Sequence, residues 1–143
     1  MASLLICTGI GEPDHVYNWS IIRAFRRLGH NVFTCGPSYI HPSSPQNKIA
    51  DIPLPDKPFP ETYSYEEVLS LCPIKPDLIL QIEPHFCLVG KKPDGILSAY
   101  YIGDPHRGGW EWYKWAHIGQ FDFLFITQKG YLEMYRGLNI PYF

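Results

Sequence analysis

Residues 100–115, YYIGDPHRGGWEWYKW, place a carboxylate, an imidazole and a guanidinium directly after an apolar run. Asp104 and His106 stand two residues apart, and a carboxylate can fix the tautomer of an imidazole, which titrates near neutral pH. This pair could take a proton from a bound ligand. It could equally bond to amides of its own loop, as short polar side chains do in turns. Arg107 adds a cation, and Trp110 adds a flat apolar face on which a sugar could pack.

Two other apolar runs are also followed by glycine or polar residues. These are Gly9, Gly11 and Glu12 after the run at 4–8, and Glu83 and His85 after the run at 78–82. The glycines allow a tight turn in which the backbone approaches a ligand. We expect Asp104 and His106 to be catalytic, and the residues of these two clusters to bind the substrate together with Arg107 and Trp110.

The same residues match two other kinds of site less closely. The Gly9-x-Gly11 pattern is typical of a dinucleotide-binding turn, but Asp14 stands where the third glycine is needed, and no ribose-binding acid follows the second apolar run. Binding of NAD or another nucleotide therefore stays an alternative. His85, Asp104 and His106 lack the compact spacing of metal ligands, so we expect no metal site.

The elements that must position these side chains are short apolar runs that alternate with helical patterns. Runs that are apolar on both faces are typical of strands in a parallel sheet covered by helices. They lie at 4–8, 31–35, 78–82, 96–102 and 121–126, with a further strand expected at 139–143. Helices are predicted over about 15–28, after the capping-box pair Ser64 and Glu67, near Gly109, and over 128–136. The sequence thus predicts an α/β fold: a single Rossmann-like domain with a doubly wound parallel sheet, in which the polar clusters meet at the carboxyl ends of the strands.

Composition narrows the classes of partner. The chain has 143 residues, 45% of them hydrophobic, and a formal net charge of -2, which gives no electrostatic reason to bind nucleic acid. We expect a small-molecule partner, no membrane span and a cytoplasmic location. The four cysteines are widely spaced, so we expect reduced thiols. Residues 36–62 are rich in proline and predict a loop excursion within the domain, from which 40–60 could be removed without loss of the sheet.

Four segments, taken in order, resemble a known family. They are LGHNVFTCGP, YSYEEVLSLCPIKPDLILQIEP, SAYYIGDPHRG and FDFLFITQKGYLEMYRGLNIPYF. Their order and spacing are similar to the N-terminal half of GT-B glycosyltransferases, specifically the CgeB-like (spore maturation protein) family. The resemblance covers most of the chain except 36–62.

The resemblance implies the acceptor-side half of an enzyme with two Rossmann-like domains. The second, donor domain would hold a nucleotide-sugar, which is a substrate, so no resident cofactor is expected. This chain would then be a truncated form that is inactive alone and becomes a glycosyltransferase when a donor domain completes it. Its partners would be a sugar or glycan acceptor and that missing domain. Asp104 and His106 match the family's strand-end acid and histidine, and Gly9 and Gly11 match its glycine turn.

Two alternatives remain open at this stage. The fold could serve as a non-catalytic nucleotide- or sugar-binding module that uses the same cleft. It could also be an NAD- or nucleotide-dependent enzyme domain, which direct cofactor binding would reveal.

Overall fold

The computed structural model describes residues 1–8, 16–37, 50–55, 57, 62–82, 87–103, 120–128, 133, 135–137 and 140–143. Its strands are β1 (Ser3–Cys7), β2 (Asn31–Pro37), β3 (Ile52–Leu54), β4 (Thr62–Ser64), β5 (Leu78–Ile82), β6 (Cys87–Val89), β7 (Leu97–Ile102) and β8 (Phe123–Ile126). Its α-helices are α1 (Val16–Arg27) and α2 (Tyr65–Leu71).

Six strands form one parallel sheet in the order β3-β2-β1-β5-β7-β8. Each pair of neighbouring strands runs parallel, which requires a crossover connection between them. Along the chain, β2 lies beside β1 and β3 lies beside β2. The chain then crosses to the other side of β1, where β5, β7 and β8 follow in order. The predicted α/β, Rossmann-like fold with a parallel sheet is therefore confirmed.

The sheet is covered on both faces. Leu4 of β1 packs in one apolar cluster with Ile22 of α1, and its neighbour Leu5 packs in a second cluster with Val68 of α2. All four side chains are at most 2% exposed. Burial of each such side chain contributes about 1.5–3 kcal/mol, which explains why β1 is apolar on both faces.

Helix α1 ends in a Schellman motif, and Gly29 predicts this end in the sequence. The N–H of Gly29 donates to Arg26 O at 3.1 Å, and the N–H of His30 donates to Phe25 O at 3.2 Å. Gly29 has φ 82°, a left-handed conformation that glycine adopts without a steric penalty. The rings of Phe25 and His30 also meet edge to face at 5.8 Å. The helix predicted over about 15–28 is confirmed, and its observed bounds are Val16–Arg27.

Helix α2 begins with the predicted capping box. Ser64 Oγ accepts from the N–H of Glu67 at 3.0 Å, and Glu67 Oε2 accepts from the N–H of Ser64 at 3.1 Å. Lys57 Nζ donates to Glu67 Oε1 at 2.6 Å. The hydrogen bond from Lys57 and that from Ser64 lower the pKa of the Glu67 carboxyl.

The proline-rich segment contains a strand that the sequence analysis did not predict. β3 pairs with β2, and its side chains Ile52 and Leu54 are buried. Residues 38–49, 56 and 58–61 lie outside the described residues. Residues 52–54 of the segment are thus a strand at one edge of the sheet and not a loop, and removal of 40–60 would take this strand away.

Two further short strands, β4 and β6, pair in parallel as a second small sheet. Residues 141–143 pair in parallel with β8 through the Leu124–Tyr142 bridge, which agrees with the strand expected at 139–143. In the segment predicted as a helix over 128–136, Glu133 and Tyr135 have 3₁₀ geometry and Gln128 is not helical. The helix predicted near Gly109 lies outside the described residues.

A carboxylate joins neighbouring strands at each edge of the main sheet. Asp122, just before β8, accepts through Oδ2 from the N–H of Ser98 at 2.8 Å and from Ser98 Oγ at 3.1 Å. Its own N–H donates to Ser98 Oγ at 3.2 Å. Asp51, just before β3, makes the same three contacts with Thr34 at 2.8, 2.9 and 3.0 Å. We call these arrangements the Asp122 clip and the Asp51 clip.

Each clip includes a cation. Lys92 Nζ lies 2.9 Å from Asp122 Oδ2, and Arg26 Nη2 lies 3.0 Å from Asp51 Oδ2. Burial alone would raise the pKa of the Asp122 carboxyl, but the hydrogen bonds from Lys92 and Ser98 outweigh it and lower that pKa. The clips start the β2–β3 and β7–β8 pairings. The Asp122 clip lies near the amino end of β7, whereas Thr34 of the Asp51 clip is level with Ile6, one residue before the end of β1.

Within the part of the chain that the structure describes, no helix is long and apolar enough to cross a membrane.

Candidate functional site

The carboxyl ends of β1 and β5 lie side by side at the centre of the sheet, where the strand order reverses. In doubly wound sheets, ligands bind in the crevice outside the strands at this point, because the connections on either side run to opposite faces. Here β1 ends at Cys7 and β5 ends at Ile82. This crevice is the candidate functional site.

The predicted site residues all lie outside the described residues. They are Gly9, Gly11, Glu12, Glu83, His85, Asp104, His106, Arg107 and Trp110. The described residues that precede them in the chain are Thr8 after β1, Ile82 at the end of β5 and Gly103 after β7. The structure thus brings together the strand ends that lead into the three clusters, and the roles assigned to those side chains stay predictions.

A row of buried polar side chains lies just beneath this edge. Cys35, Cys7, Gln81 and Tyr100 are paired in register across β2, β1, β5 and β7. Their side chains are at most 2% exposed. Thiol, amide and phenol groups in an otherwise apolar layer are uncommon, since burial of a polar group costs free energy unless it is hydrogen-bonded.

The first two members of the row are in direct contact. Cys35 Sγ donates to Cys7 Sγ across a distance of 3.1 Å, and both thiols are free and fully buried. Burial raises the pKa of the Cys35 thiol, and the hydrogen bond to Cys7 raises it further. Both effects keep this thiol protonated, which makes it a poor nucleophile.

On the opposite face of β1, a second polar pair occupies the start of the β1–α1 connection. Asn18 Nδ2 donates to Thr8 Oγ1 at 2.6 Å, and both residues are 1% exposed. The N–H of Thr8 donates to Cys35 O at 3.0 Å, which extends the β1–β2 pairing by one residue. Asn18 is the third residue of α1, so its amide connects the first turn of the helix to the end of the strand.

The polar residues after β8 contact the carbonyl groups at the end of β7. Thr127 Oγ1 donates to Gly103 O at 2.8 Å and lies 3.3 Å from Ile102 O. Gln128 Nε2 lies 3.5 Å from the same Gly103 oxygen. These side chains hold the end of β7 against the end of β8, and so fix the point where the chain enters the segment with Asp104 and His106.

Only some of the polar groups expected at this edge belong to residues that the structure describes. Thr8, Gln81, Cys7, Cys35 and Tyr100 supply hydroxyl, amide, thiol and phenol groups, all of them at most 2% exposed and therefore beneath the edge. The carboxylates and imidazoles of the predicted site belong to segments that are not described. Among the residues that the structure describes, no group of three or more His, Cys, Asp or Glu side chains could hold a metal ion.

Sequence reasoning missed Gln81, Asn18 and the Cys7–Cys35 contact. Gln81 could have been found, because it is the one polar residue in the run LILQI. Asn18 carried a weaker signal as an amide in the first turn of a helix. The thiol contact joins positions 28 residues apart, and only the strand register reveals it.

No family model, curated protein or solved structure matches this chain.

Proposed function

We propose that this chain is the acceptor-side domain of a GT-B glycosyltransferase. The observation that carries the proposal is the reversal of strand order between β1 and β5, because ligand sites of doubly wound sheets form there. Both strands lead directly into clusters that the sequence marks as ligand-binding, at 9–12 and 83–85. The CgeB-like sequence pattern adds the reaction class.

In the proposed mechanism, His106, oriented by Asp104, takes the proton of an acceptor hydroxyl. The acceptor oxygen then forms a bond to the anomeric carbon of the donor sugar, and the bond from that carbon to the nucleotide phosphate breaks. The phosphate leaves with the electron pair. Its charge is stabilised by a donor domain, since electrostatic stabilisation of a leaving group is a large part of such catalysis.

The remaining predicted residues bind the acceptor. The turn at Gly9 and Gly11 lets the backbone approach it, and Glu83 and His85 supply hydrogen bonds from the other side of the crevice. Trp110 packs against a sugar ring, which is a common use of a flat aromatic face.

A non-catalytic nucleotide- or sugar-binding module is the second candidate. The reversal of strand order supports it as well, because a crevice at that point can hold a ligand without any catalytic group. Such a module would use the same crevice without turnover.

Binding is tested first, with this chain alone. NMR titrations use UDP-, GDP- and TDP-sugars, NAD and simple acceptor sugars. We expect acceptor sugars to shift the backbone amides of Thr8 and Gly103, and nucleotide-sugars and NAD to leave them unchanged. Tight binding of a nucleotide-sugar or of NAD would contradict the acceptor-side assignment, and NAD binding would favour the cofactor-dependent alternative.

Catalysis is tested in a protein that joins this chain to a GT-B donor domain. We expect Asp104→Asn and His106→Ala to abolish sugar transfer while the circular dichroism spectrum and melting temperature stay unchanged. Asp94→Asn is the matched control, because Asp94 is an exposed carboxylate between β6 and β7, away from the strands' carboxyl ends. Sugar binding without transfer would identify a binding module, and unfolding of the two variants would show that the residues are structural.

A further inference from the structure

Two nucleophilic side chains that the proposed function does not use are in contact inside the sheet. Cys7 of β1 and Cys35 of β2 are free thiols, both are 0% exposed, and their sulfur atoms lie 3.1 Å apart. Both side chains belong to the apolar cluster on the α2 side of the sheet, together with Val68 of α2. The contact places each thiol where the other can react with it.

The backbone around this contact fits a disulfide bond. Cys7 and Cys35 are paired in register on neighbouring parallel strands, and both side chains lie on the same face of the sheet. Neighbouring strands are about 4.7–4.9 Å apart, within the Cα separation of about 4.4–6.8 Å that disulfides require. A disulfide holds its sulfur atoms about 2.05 Å apart, so the two sulfurs must approach by about 1 Å. Side-chain rotation can supply this approach without a shift of either strand.

The fold favours this bond relative to the unfolded chain. The two cysteines are 28 residues apart in the sequence, with α1 between them. The unfolded chain must close a loop of that length to bring them together, whereas the β1–β2 pairing has already done so in the folded chain. In the loop-closure description, this difference favours the cross-link by about a hundredfold or more, and strain in the bond reduces that advantage.

We propose that Cys7 and Cys35 form a reversible disulfide that covalently joins β1 to β2 when the chain exchanges with a small disulfide such as oxidised glutathione. One cysteine sulfur, as the thiolate, attacks the small disulfide, forms a bond to one of its sulfurs and releases the first small thiol. The other cysteine attacks the protein sulfur of this mixed disulfide, forms the Cys7–Cys35 bond and releases the second small thiol. The two protons that the cysteines lose are taken up by the two small thiols. The chain is oxidised by two electrons, and one small disulfide is reduced.

Burial determines when this exchange occurs. A buried, protonated thiol is a poor nucleophile, and burial raises the pKa of the Cys35 thiol. The mixed disulfide also needs more room than the packed cluster offers. Exchange therefore takes place before the β1–β2 pairing closes during folding, or when that pairing opens. The completed bond then lies in the core. This inference goes beyond the proposed function and does not depend on it.

The experiment equilibrates the natural chain in a mixture of reduced and oxidised glutathione. One sample is refolded from urea into native conditions, and the other stays unfolded in urea. Free thiols are then alkylated in denaturant, and the chain is digested for mass spectrometry. Trypsin cleaves after Arg23 and Arg27, so Cys7 and Cys35 fall in different peptides and their cross-link is identified directly.

We expect the ratio of cross-linked to reduced Cys7–Cys35 to be at least about tenfold higher in the folded sample than in the unfolded one. Excess dithiothreitol should reverse the cross-link. The cross-linked chain should keep the circular dichroism spectrum of the reduced chain and unfold at a higher urea concentration. A ratio that is equal or lower in the folded sample would overturn the proposal. Loss of the native spectrum on cross-linking would do the same.

Two variants test which cysteines take part. Cys72→Ala is the matched control, because Cys72 packs against the same cluster but is only half-buried and lies at the end of α2, outside the sheet. It should leave the Cys7–Cys35 ratio unchanged. Cys35→Ala should fold and should form no cross-link that is enriched by folding. A fall of the ratio in Cys72→Ala, or an enriched cross-link from Cys7 to another cysteine in the natural chain, would refute the assignment of the bond to this pair.

Discussion

The Asp122 clip gives a quantitative test of how the sheet holds its β7–β8 edge. In Asp122→Ala, the N–H of Ser98 loses its acceptor while Ser98 stays fully buried. Lys92 also loses its partner at 2.9 Å, in an ion pair whose side chains are 20% and 35% exposed. The variant therefore combines an unsatisfied buried donor with a lost, partly exposed ion pair.

These two effects set the size of the expected loss. A buried N–H without an acceptor costs about 1–3 kcal/mol, and a partly exposed ion pair contributes about 0.2–1 kcal/mol. We expect Asp122→Ala to lower the free energy of unfolding by about 2–3 kcal/mol. Asp122→Asn keeps an acceptor for Ser98 and loses only the charge, so its expected cost is about 1 kcal/mol.

The assay is urea unfolding followed by circular dichroism, repeated over a series of pH values. The pKa of Asp122 is lower in the folded protein than in the unfolded chain, so its contribution is fully present above the unfolded pKa and disappears as pH falls through the folded pKa. The stability difference between the natural chain and Asp122→Asn should be constant near neutral pH and should narrow below about pH 4.

Two results would refute this reasoning. Equal costs for Asp122→Ala and Asp122→Asn would mean that the acceptor for Ser98 contributes nothing. A stability difference that stays constant down to acidic pH would mean that the folded protein does not lower the pKa of this carboxyl. Asp94→Asn, at an exposed carboxylate near β7, is the control and should change the unfolding free energy by less than about 0.5 kcal/mol.

Four further predictions concern the rest of the fold. Asp51→Ala should cost about 1–2 kcal/mol in urea unfolding, less than Asp122→Ala because its side chain is 43% exposed, and an equal or larger cost would contradict this ranking. Deletion of 40–60 should abolish the cooperative unfolding transition, because β3 and the Asp51 clip are lost with it; a normal transition would show that β3 is dispensable. Ser64→Ala should cost about 1 kcal/mol through the capping box, and Ser64→Asp, which can still cap the helix, should recover most of it. In the variant Cys87→Ser, a thiol reagent should modify the half-buried Cys72 first. Cys7 and Cys35 should react only in denaturant, since both are buried and the pKa of Cys35 is raised. Rapid reaction of Cys35 in the native protein would contradict its burial.

The sequence alone determined the elements whose signals are local. Each long strand of a parallel sheet is buried on both faces, so it appears as an apolar run such as LLIC in β1 or LILQI in β5. Gly29 marked the end of α1 because the Schellman motif needs a left-handed residue there. Ser64 and Glu67 marked the start of α2 because a capping box is a contact between residues three apart.

The short strands β3, β4 and β6 could not be predicted in this way. Each has three residues, too few for a periodic pattern, and β3 contains Pro53, which usually argues against a strand. Contacts with residues distant in sequence stabilise such strands. For example, β3 pairs with β2 and is held by the Asp51 clip at the edge of the sheet.

For the candidate site, the sequence determined which chemical groups follow which strand, and the tertiary structure decided which strand ends meet. The apolar runs placed residues 9–12, 83–85 and 104–107 after strands, but only the strand order puts the ends of β1 and β5 side by side. Cys7 meets Cys35, Ser98 meets Asp122 and Thr8 meets Asn18 at separations of 28, 24 and 10 residues. Contacts of this kind depend on register and crossover, which are properties of the whole sheet and not of any local segment.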